Sequence, residues 1–183
     1  MKVFNYHSAK SVKEATKLAS SGSAYLSGGM TMIPSMKMRL ASYKDVIDVK
    51  HIKELQGIKV SGKRVTIGAA TKHSDVANSK EVQKSILSLS SLAGRIGDVQ
   101  VRNRGTIGGS IANNDPTACY PAACLALNAI IHTSARKIEA DKFFKGMFET
   151  ALKKGELITS VEFSIPEKSY YFKFPNPASR YAM

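Results

Sequence analysis

Two glycine pairs, each flanked by hydroxyl side chains, are the residues in this sequence best suited to chemistry, and that chemistry is anion binding. The first is Ser27-Gly28-Gly29-Met30-Thr31, and the second is Thr106-Ile107-Gly108-Gly109-Ser110, followed by Ile111-Ala112-Asn113. Adjacent glycines let the backbone take φ > 0 and leave its N–H groups uncovered. A helix beginning just after such a loop adds partial positive charge, and together these suit a pyrophosphate. Thr31 and the hydroxyls around the second pair can donate further hydrogen bonds. Arg102 and Arg104, just ahead of the second loop, can offset anionic charge or simply be solvated. Each loop alone is also compatible with a plain strand-to-helix turn. Neither has the GxGxxG spacing of a dinucleotide fold or the Gly-Lys-Ser/Thr of a P-loop. Two such loops in segments of different character point to one pyrophosphate buried in a cleft between two lobes.

Other chemistries find little support. Cys119 and Cys124 are the only cysteines. Five residues apart in an expected helix, they point in different directions, so a disulfide is not expected, and two thiols cannot ligate an iron–sulfur cluster. His7, His51, His73 and His132 are dispersed without metal-ligand spacing and read as surface or core histidines. Asp98, Asp115 and Glu139 form no acid/base pair, and no Ser/His/Asp set is suggested. The formal charge of +13 leaves three readings open: a lysine-rich solvated face, docking onto an acidic partner, and nucleic-acid binding. The lysines are scattered singly and in pairs, without a basic stripe or interleaved aromatics, which makes nucleic acid the weakest of the three. No apolar run reaches the ~18 residues of a membrane span. The opening Met1-Lys2-Val3-Phe4-Asn5-Tyr6 lacks the apolar core of a secretory signal, so a reducing cytoplasm is expected.

The elements that must position the loops follow from periodicity. A strand is expected at Val3 to Tyr6, then a helix opened by the capping-box pattern Ser11-Val12-Lys13-Glu14, with Val12, Ala15, Leu18 and Ala19 on one face. A strand at Ala24 to Ser27 runs into the first glycine pair. A helix over Met32 to Leu40 and a strand at Val46 to Val49 complete a small α/β unit with parallel pairing. The pattern then changes. A hairpin is expected from Gly57–Val60 and Arg64–Gly68 around Ser61-Gly62-Lys63. A helix over Asp75 to Ser91, broken near Ser79, precedes a stretch from Ala93 to Gly109 with no helix or strand period. Further helices are expected at Thr117–Leu127 and Asp141–Phe144, and strands at Ala129–Thr133, Lys137–Ala140, Leu157–Ile165 and Tyr170–Phe174. This mixture describes an α+β second lobe. The closing Ser179-Arg180-Tyr181-Ala182-Met183 reads as an interruption of a longer chain.

Two long motifs resemble one family. The run from Gly28 through Thr31 and Pro34 to Met36-Lys37-Met38-Arg39-Leu40 resembles its AGGxSLLPxMKLRL pattern, and Val101 to Asn113 resembles its VRNxGTIGGNLAN pattern. Thr66-Ile67-Gly68-Ala69 and Gly155-Glu156-Leu157-Ile158-Thr159 are supporting matches. The family is the medium, FAD-binding subunit of carbon monoxide dehydrogenase and the xanthine-dehydrogenase-like molybdenum hydroxylases. The resemblance implies an α+β, vanillyl-alcohol-oxidase-type (PCMH-type) FAD-binding domain of two α+β subdomains. These would be residues 1–54 and 55–174, with residues 175–183 beginning a further domain that is cut short. It implies FAD held at its pyrophosphate by Ser27, Gly28, Gly29, Met30 and Thr31 and by Thr106, Ile107, Gly108, Gly109 and Ser110, mainly through backbone N–H groups. It also implies a cytoplasmic electron-transfer oxidoreductase subunit. That subunit takes electrons from the 2Fe–2S clusters of a small subunit, which receives them from a molybdopterin-binding large subunit, and passes them to an external acceptor. Ser27 stands where the family usually has Ala, Thr31 where it has Ser, Ser110 where Asn is common and Cys119 where Asp is usual. The alternative is a truncated, non-redox interaction protein that keeps the fold but not the flavin.

Overall fold

The computed structural model describes residues 1–179 and 181–183. The first glycine pair belongs to a unit built from β1 (Asn5–Ser8), α1 (Val12–Leu18), β2 (Ser23–Leu26), α2 (Met32–Lys37) and β3 (Asp45–Asp48). Its three strands run in the order β1-β3-β2, and both pairings are parallel, as the alternation of strand and helix requires. The helix α1 starts where expected. The Ser11 hydroxyl accepts from the Glu14 N–H at 3.1 Å, while the Glu14 carboxylate accepts from the Lys10 N–H at 2.8 Å. The box thus closes one residue earlier than the standard reciprocal form. Ala15 is fully buried, with Val12, Leu18 and Ala19 packed around the same core.

The second unit follows a one-turn 3-10 segment, Lys53–Leu55. It comprises β4 (Ile58–Ser61), β5 (Arg64–Gly68), α3 (His73–Asn78), α4 (Lys80–Ser85), α5 (Leu87–Gly94), α6 (Val99–Arg104), α7 (Ile107–Asn113), α8 (Cys119–Ala126), β6 (Ile130–Thr133), β7 (Lys137–Glu139), α9 (Ala140–Phe143), β8 (Phe144–Gly146), β9 (Glu149–Thr150) and β10 (Ile158–Ser164). The sheet order is β4-β5-β10-β6-β7, antiparallel throughout. The central strand β10 carries a register shift between Ile158 and Ser160. That irregularity, on the β6 side, turns Ile158 and Val161 to the same buried side, while on the β5 side the ladder runs on, the Thr159 carbonyl accepting from the Ala69 N–H at 2.9 Å. Tyr120, Phe143 and Phe163 are fully buried between sheet and helices. Large aromatic side chains of this kind each contribute on the order of 2–3 kcal/mol through apolar burial. The smaller core under the first sheet takes Ala70 and Leu157 from the second unit beside Ile47, Ile52 and Leu55, and the Tyr25 hydroxyl donates to the Gly155 carbonyl at 2.7 Å. The two sheets are therefore welded along one seam.

Several expectations need correction. The helix expected to reach Leu40 stops at Lys37, because Arg39 takes φ 61°. The Arg39 N–H bonds to Met36 O at 3.1 Å and the Leu40 N–H to Ser35 O at 2.9 Å, a Schellman closure made without glycine. The helix expected from Asp75 is three short ones, broken at Ser79 as anticipated and again at Ile86, whose φ −144°, ψ 75° is not helical. The stretch from Ala93 contains α6, opened by Asp98, whose carboxylate accepts from the Val101 N–H at 2.8 Å. That helix buries none of its residues, so it leaves no apolar period to read. The second glycine pair lies inside α7 rather than ahead of it. Tyr170–Phe174 forms no strand and joins no ladder among the described residues. Its alternation arises because Ser169 and Lys173 are tied to the helices, through Ser88 Oγ at 2.6 Å and Arg95 O at 3.0 Å, while Tyr170, Phe172 and Phe174 stay exposed. The β8–β9 hairpin was not anticipated. Buried Asn114, in the left-handed region at φ 43°, donates its amide to Gly146 O and Glu149 O at 2.8 Å each and so ties this hairpin to the end of α7.

Candidate functional site

The fold brings the two glycine loops together across the seam. The Ser27 and Thr106 hydroxyl oxygens lie 3.1 Å apart. A Cβ placed on Gly28 would sit 2.3 Å from the Arg104 carbonyl oxygen and 2.8 Å from Gly105 Cα, so the first loop rests backbone-to-backbone on the residues just before the second. Only glycine permits that approach. Between the loops opens a cavity of about 730 Å³, within the ~300–1,000 Å³ range of small-molecule and cofactor sites. Every sequence-predicted site residue lines it except Ile107. Ile107 is fully buried in the main core, and its side chain anchors α7 instead of facing the cavity.

The loops differ in what their backbones offer. In the second, the Ile107 N–H donates to Thr71 O at 3.1 Å, Gly108 to Ala69 O at 2.9 Å, Gly109 to Thr106 Oγ1 at 3.2 Å and Ser110 to Thr106 O at 3.0 Å. The first two donors hold α7 against Ala69 and Thr71, and the other two are spent on its own first turn at Thr106. In the first loop, the N–H groups of Gly28, Gly29, Met30 and Thr31 make no hydrogen bond among the described residues. Thr31 heads α2 without a side-chain cap bond, so its hydroxyl is uncommitted as well. Gly29 has φ +72°, a left-handed turn in the middle of this loop that glycine adopts without strain.

The glycines differ too. A Cβ on Gly108 would meet Ala69 Cβ at 2.6 Å and Ala69 O at 2.7 Å, so this glycine serves packing. At Gly109 the nearest atom would be Thr106 Oγ1 at 3.0 Å, with no other neighbour within 4 Å. That position is exposed toward the cavity, and a side chain there would occupy ligand space. The Thr106 hydroxyl accepts from Gly109 and pairs with Ser27. Whichever of the two hydroxyls donates, one hydroxyl hydrogen of the pair remains for a ligand.

Sequence reasoning missed other parts of the wall. Gly105 and His73 line the cavity beside Thr106. The His73 N–H donates to Gly105 O at 3.0 Å, and its ring packs 5.4 Å from the Tyr120 ring. His73 is 4% exposed, and burial lowers its pKa to about 4, so the imidazole is neutral near pH 7. The signal that marks it is the pairing of Lys72 with Thr106, which no sequence pattern displays. Lys173 also lines the cavity, as do Tyr181 and Cys119, the latter already marked in the sequence by standing where the family usually has Asp. Cys119 is a free thiol beside Tyr171, whose phenol pKa is pushed up by burial and then by this neighbour. Arg102 and Arg104 do not line the cavity. The Arg102 guanidinium instead donates to the Ile96 and Gly97 carbonyls at 3.0 and 3.4 Å. At the far wall, Glu156 is held by Arg136 in a two-pronged contact of 3.0 and 3.1 Å, accepts from Thr133 and from the Lys153 N–H, and is drawn down to a pKa of about 2, mainly by Arg136. Among the described residues there is no His/Cys/Asp/Glu cluster fit for a metal ion, and no helix is long and apolar enough to cross a membrane.

The wall therefore combines free amides, hydroxyls, an open glycine and an apolar remainder, a donor set that fits a long anionic ligand such as a dinucleotide. Comparison with known proteins agrees. Residues 2–167 match the family described as the FAD binding domain in molybdopterin dehydrogenase. The glyceraldehyde dehydrogenase medium chain of Sulfolobus acidocaldarius is 37% identical over 188 aligned positions, covering 98% of this chain and 67% of the relative. The carbon monoxide dehydrogenase medium chain of Hydrogenophaga pseudoflava is 40% identical over 170, covering 89% and 58%. The solved carbon monoxide dehydrogenase from Hydrogenophaga pseudoflava superposes with a TM-score of 0.94 at 36% identity, over 99% of this chain and 67% of that one. The chain thus spans 58 to 67% of the length of these three proteins. With the α+β architecture and the two-loop cavity, these matches place the chain in the family of FAD-binding domains of molybdopterin dehydrogenases, in the branch of the medium subunits.

Proposed function

We propose that this chain is the flavin-carrying part of an electron-transfer subunit in a molybdenum hydroxylase. In this reading it takes electrons from 2Fe–2S clusters on a small partner subunit, downstream of a molybdopterin-binding large subunit, and delivers them to an external acceptor. The observation that carries the reading is the junction of the two glycine loops over one cavity, with unspent amides on the Ser27–Thr31 side and open Gly109 on the other. In it, Gly28, Gly29, Met30 and Thr31 hold the FAD pyrophosphate through their N–H groups, and Thr31, Ser110 and one member of the Ser27–Thr106 pair contribute hydroxyl donors. Gly108 and Ile107 set the position of α7, and Gly109 leaves room for the phosphates. The chain would divide into residues 1–54 and 55–174, with the pyrophosphate across the division. FAD supplies the ability to exchange electrons singly or in pairs. The protein's part is to bind it, orient it and exclude water from the cavity. Medium chains of glyceraldehyde and carbon monoxide dehydrogenases among the relatives support the subunit role.

The test is flavin uptake by the purified full chain. Incubation with FAD followed by gel filtration should leave a yellow protein with about one flavin per chain, and addition of the cognate small and large subunits should give substrate-dependent bleaching. A protein that stays colourless at saturating FAD would overturn the flavin role and favour a non-redox interaction protein.

A further inference from the structure

Buried polar atoms in native proteins nearly always have partners, and an exception calls for an explanation. His73 is such an exception. Its Nδ1 is buried and makes no hydrogen bond, although the residue lines the cavity and is otherwise 4% exposed. The ring is wedged in one orientation. Tyr120 packs on it at 5.4 Å, and its Nε2 edge lies so close to Gly105 that an added Cβ there would come within 2.6 Å. Gly105 is also where Gly28 of the first loop rests. Nε2 makes no hydrogen bond among the described residues either, but unlike Nδ1 it is not fully enclosed, so it is the ring nitrogen that reaches the cavity, beside Gly105 at the seam of the two loops. A neutral imidazole carries one ring proton, and a buried N–H without an acceptor is the rarer and costlier arrangement. The proton accordingly belongs on Nε2, leaving a lone pair on Nδ1.

We infer that His73 is a further ligand-contacting residue, a neutral imidazole that presents an Nε2–H donor to an oxygen of the bound dinucleotide at the seam of the two loops. The inference rests on the reading that this cavity takes FAD. It gives the dinucleotide a donor from α3, an element outside either glycine motif. Because the group is uncharged, it adds direction to the site without adding to the chain's net charge of +13.

The experiment compares FAD dissociation constants, from quenching of flavin fluorescence, for the full chain and its His73→Leu, His73→Gln and Gly109→Val variants. Gln reaches to about the Nε2 position with an amide donor, whereas Leu fills space without one. One neutral hydrogen bond corresponds to roughly a five- to tenfold change in affinity. His73→Leu should therefore lose about tenfold, while His73→Gln should stay within about threefold of the parent. Melting of the flavin-free variants reads out folding separately. In ¹⁵N-labelled parent protein, His73 should show the Nε2–H tautomer, and its Nε2 resonance should move when FAD is added. Parent-like binding by His73→Leu, equal weakening of both His73 variants, or an Nδ1–H tautomer would overturn the inference while leaving the flavin site in place. Undiminished flavin binding by Gly109→Val would instead overturn the loop assignment, and this inference with it.

Discussion

Ser27 and Thr106 are 79 positions apart in sequence and 3.1 Å apart at their hydroxyl oxygens. Thr106 has a second duty, since its oxygen caps α7 by accepting from the Gly109 N–H at 3.2 Å. The two residues thus differ in cost. Thr106→Val should lose a helix cap as well as the link between the loops, lowering stability by roughly 1–2 kcal/mol and flavin affinity with it. Ser27→Ala removes one half-buried hydrogen bond and should cost about 1 kcal/mol or less, with FAD affinity falling only a few-fold. Chemical denaturation and flavin titration of both variants check the ranking. Equal effects would show that the inter-loop contact, and not the cap, dominates.

The four glycines of the loops should separate into classes. Gly28→Ala and Gly108→Ala drive a methyl to 2.3 Å from Arg104 O and 2.6 Å from Ala69 Cβ, so both should destabilise the fold itself. Gly29→Ala puts a side chain at φ +72° and against Ile33 Cδ1 at 2.6 Å, adding backbone strain on the order of 1 kcal/mol or more. Gly109→Val meets only Thr106 Oγ1 at 3.0 Å, so it should melt close to the parent yet bind FAD at least about tenfold more weakly. Circular dichroism melts beside flavin absorbance distinguish folded-but-empty from unfolded. A Gly109 variant that melts low would place this glycine with the packing class.

Acid stability should fall in two stages. His73 has a folded pKa of about 4 against an ordinary 6.5, so the unfolded chain binds its proton more readily. Its contribution is complete above about pH 6.5, declines as pH drops toward 4 and is then exhausted, on the order of 3 kcal/mol in all. Glu156 has a folded pKa of about 2, lowered mainly by Arg136, against an ordinary value near 4.5. Its contribution is complete above pH ~4.5 and is lost as pH falls toward 2. Thermal melts from pH 8 to 2 should show both stages. His73→Gln should flatten the upper one and Glu156→Gln the lower. Glu156→Gln should also cost roughly 2 kcal/mol at pH 7, because it leaves the Arg136 fork and the Lys153 N–H poorly matched.

Where residues declared themselves locally, the sequence was readable. Ser11 and Glu14 announced α1, Gly62 the turn between β4 and β5, and the two glycine pairs the loops that line the cavity. What stayed hidden depends on pairing between distant segments. Thr71 and Ala69 absorb the Ile107 and Gly108 amides, so the second loop has fewer free donors than its composition suggests. His73 reaches the cavity only because Lys72 pairs with Thr106. Asn114 shapes the end of α7 through a hairpin that lacks any apolar alternation of its own. Exposed helix α6 is the converse case, a local element whose cap residue Asp98 was present but whose apolar face was not.

Cys119 offers a readout of cavity occupancy that needs no enzymatic turnover. It lines the cavity and is 8% exposed, whereas Cys124, five residues on in the same helix, is fully buried with a thiol pKa pushed up by burial. Thiol reagents attack the thiolate, and only where it can be reached. N-ethylmaleimide should therefore label Cys119 slowly in the flavin-free protein and leave Cys124 untouched until the chain unfolds. Saturating FAD should slow the Cys119 reaction by about tenfold or more, since a cavity of about 730 Å³ filled by a dinucleotide leaves the reagent no path. Peptide mapping by mass spectrometry assigns each label, and Cys119→Ser serves as the control. A Cys119 labelling rate indifferent to FAD would mean that the bound cofactor leaves the α8 wall uncovered, and would confine it to the Ser27–Thr31 side of the cavity.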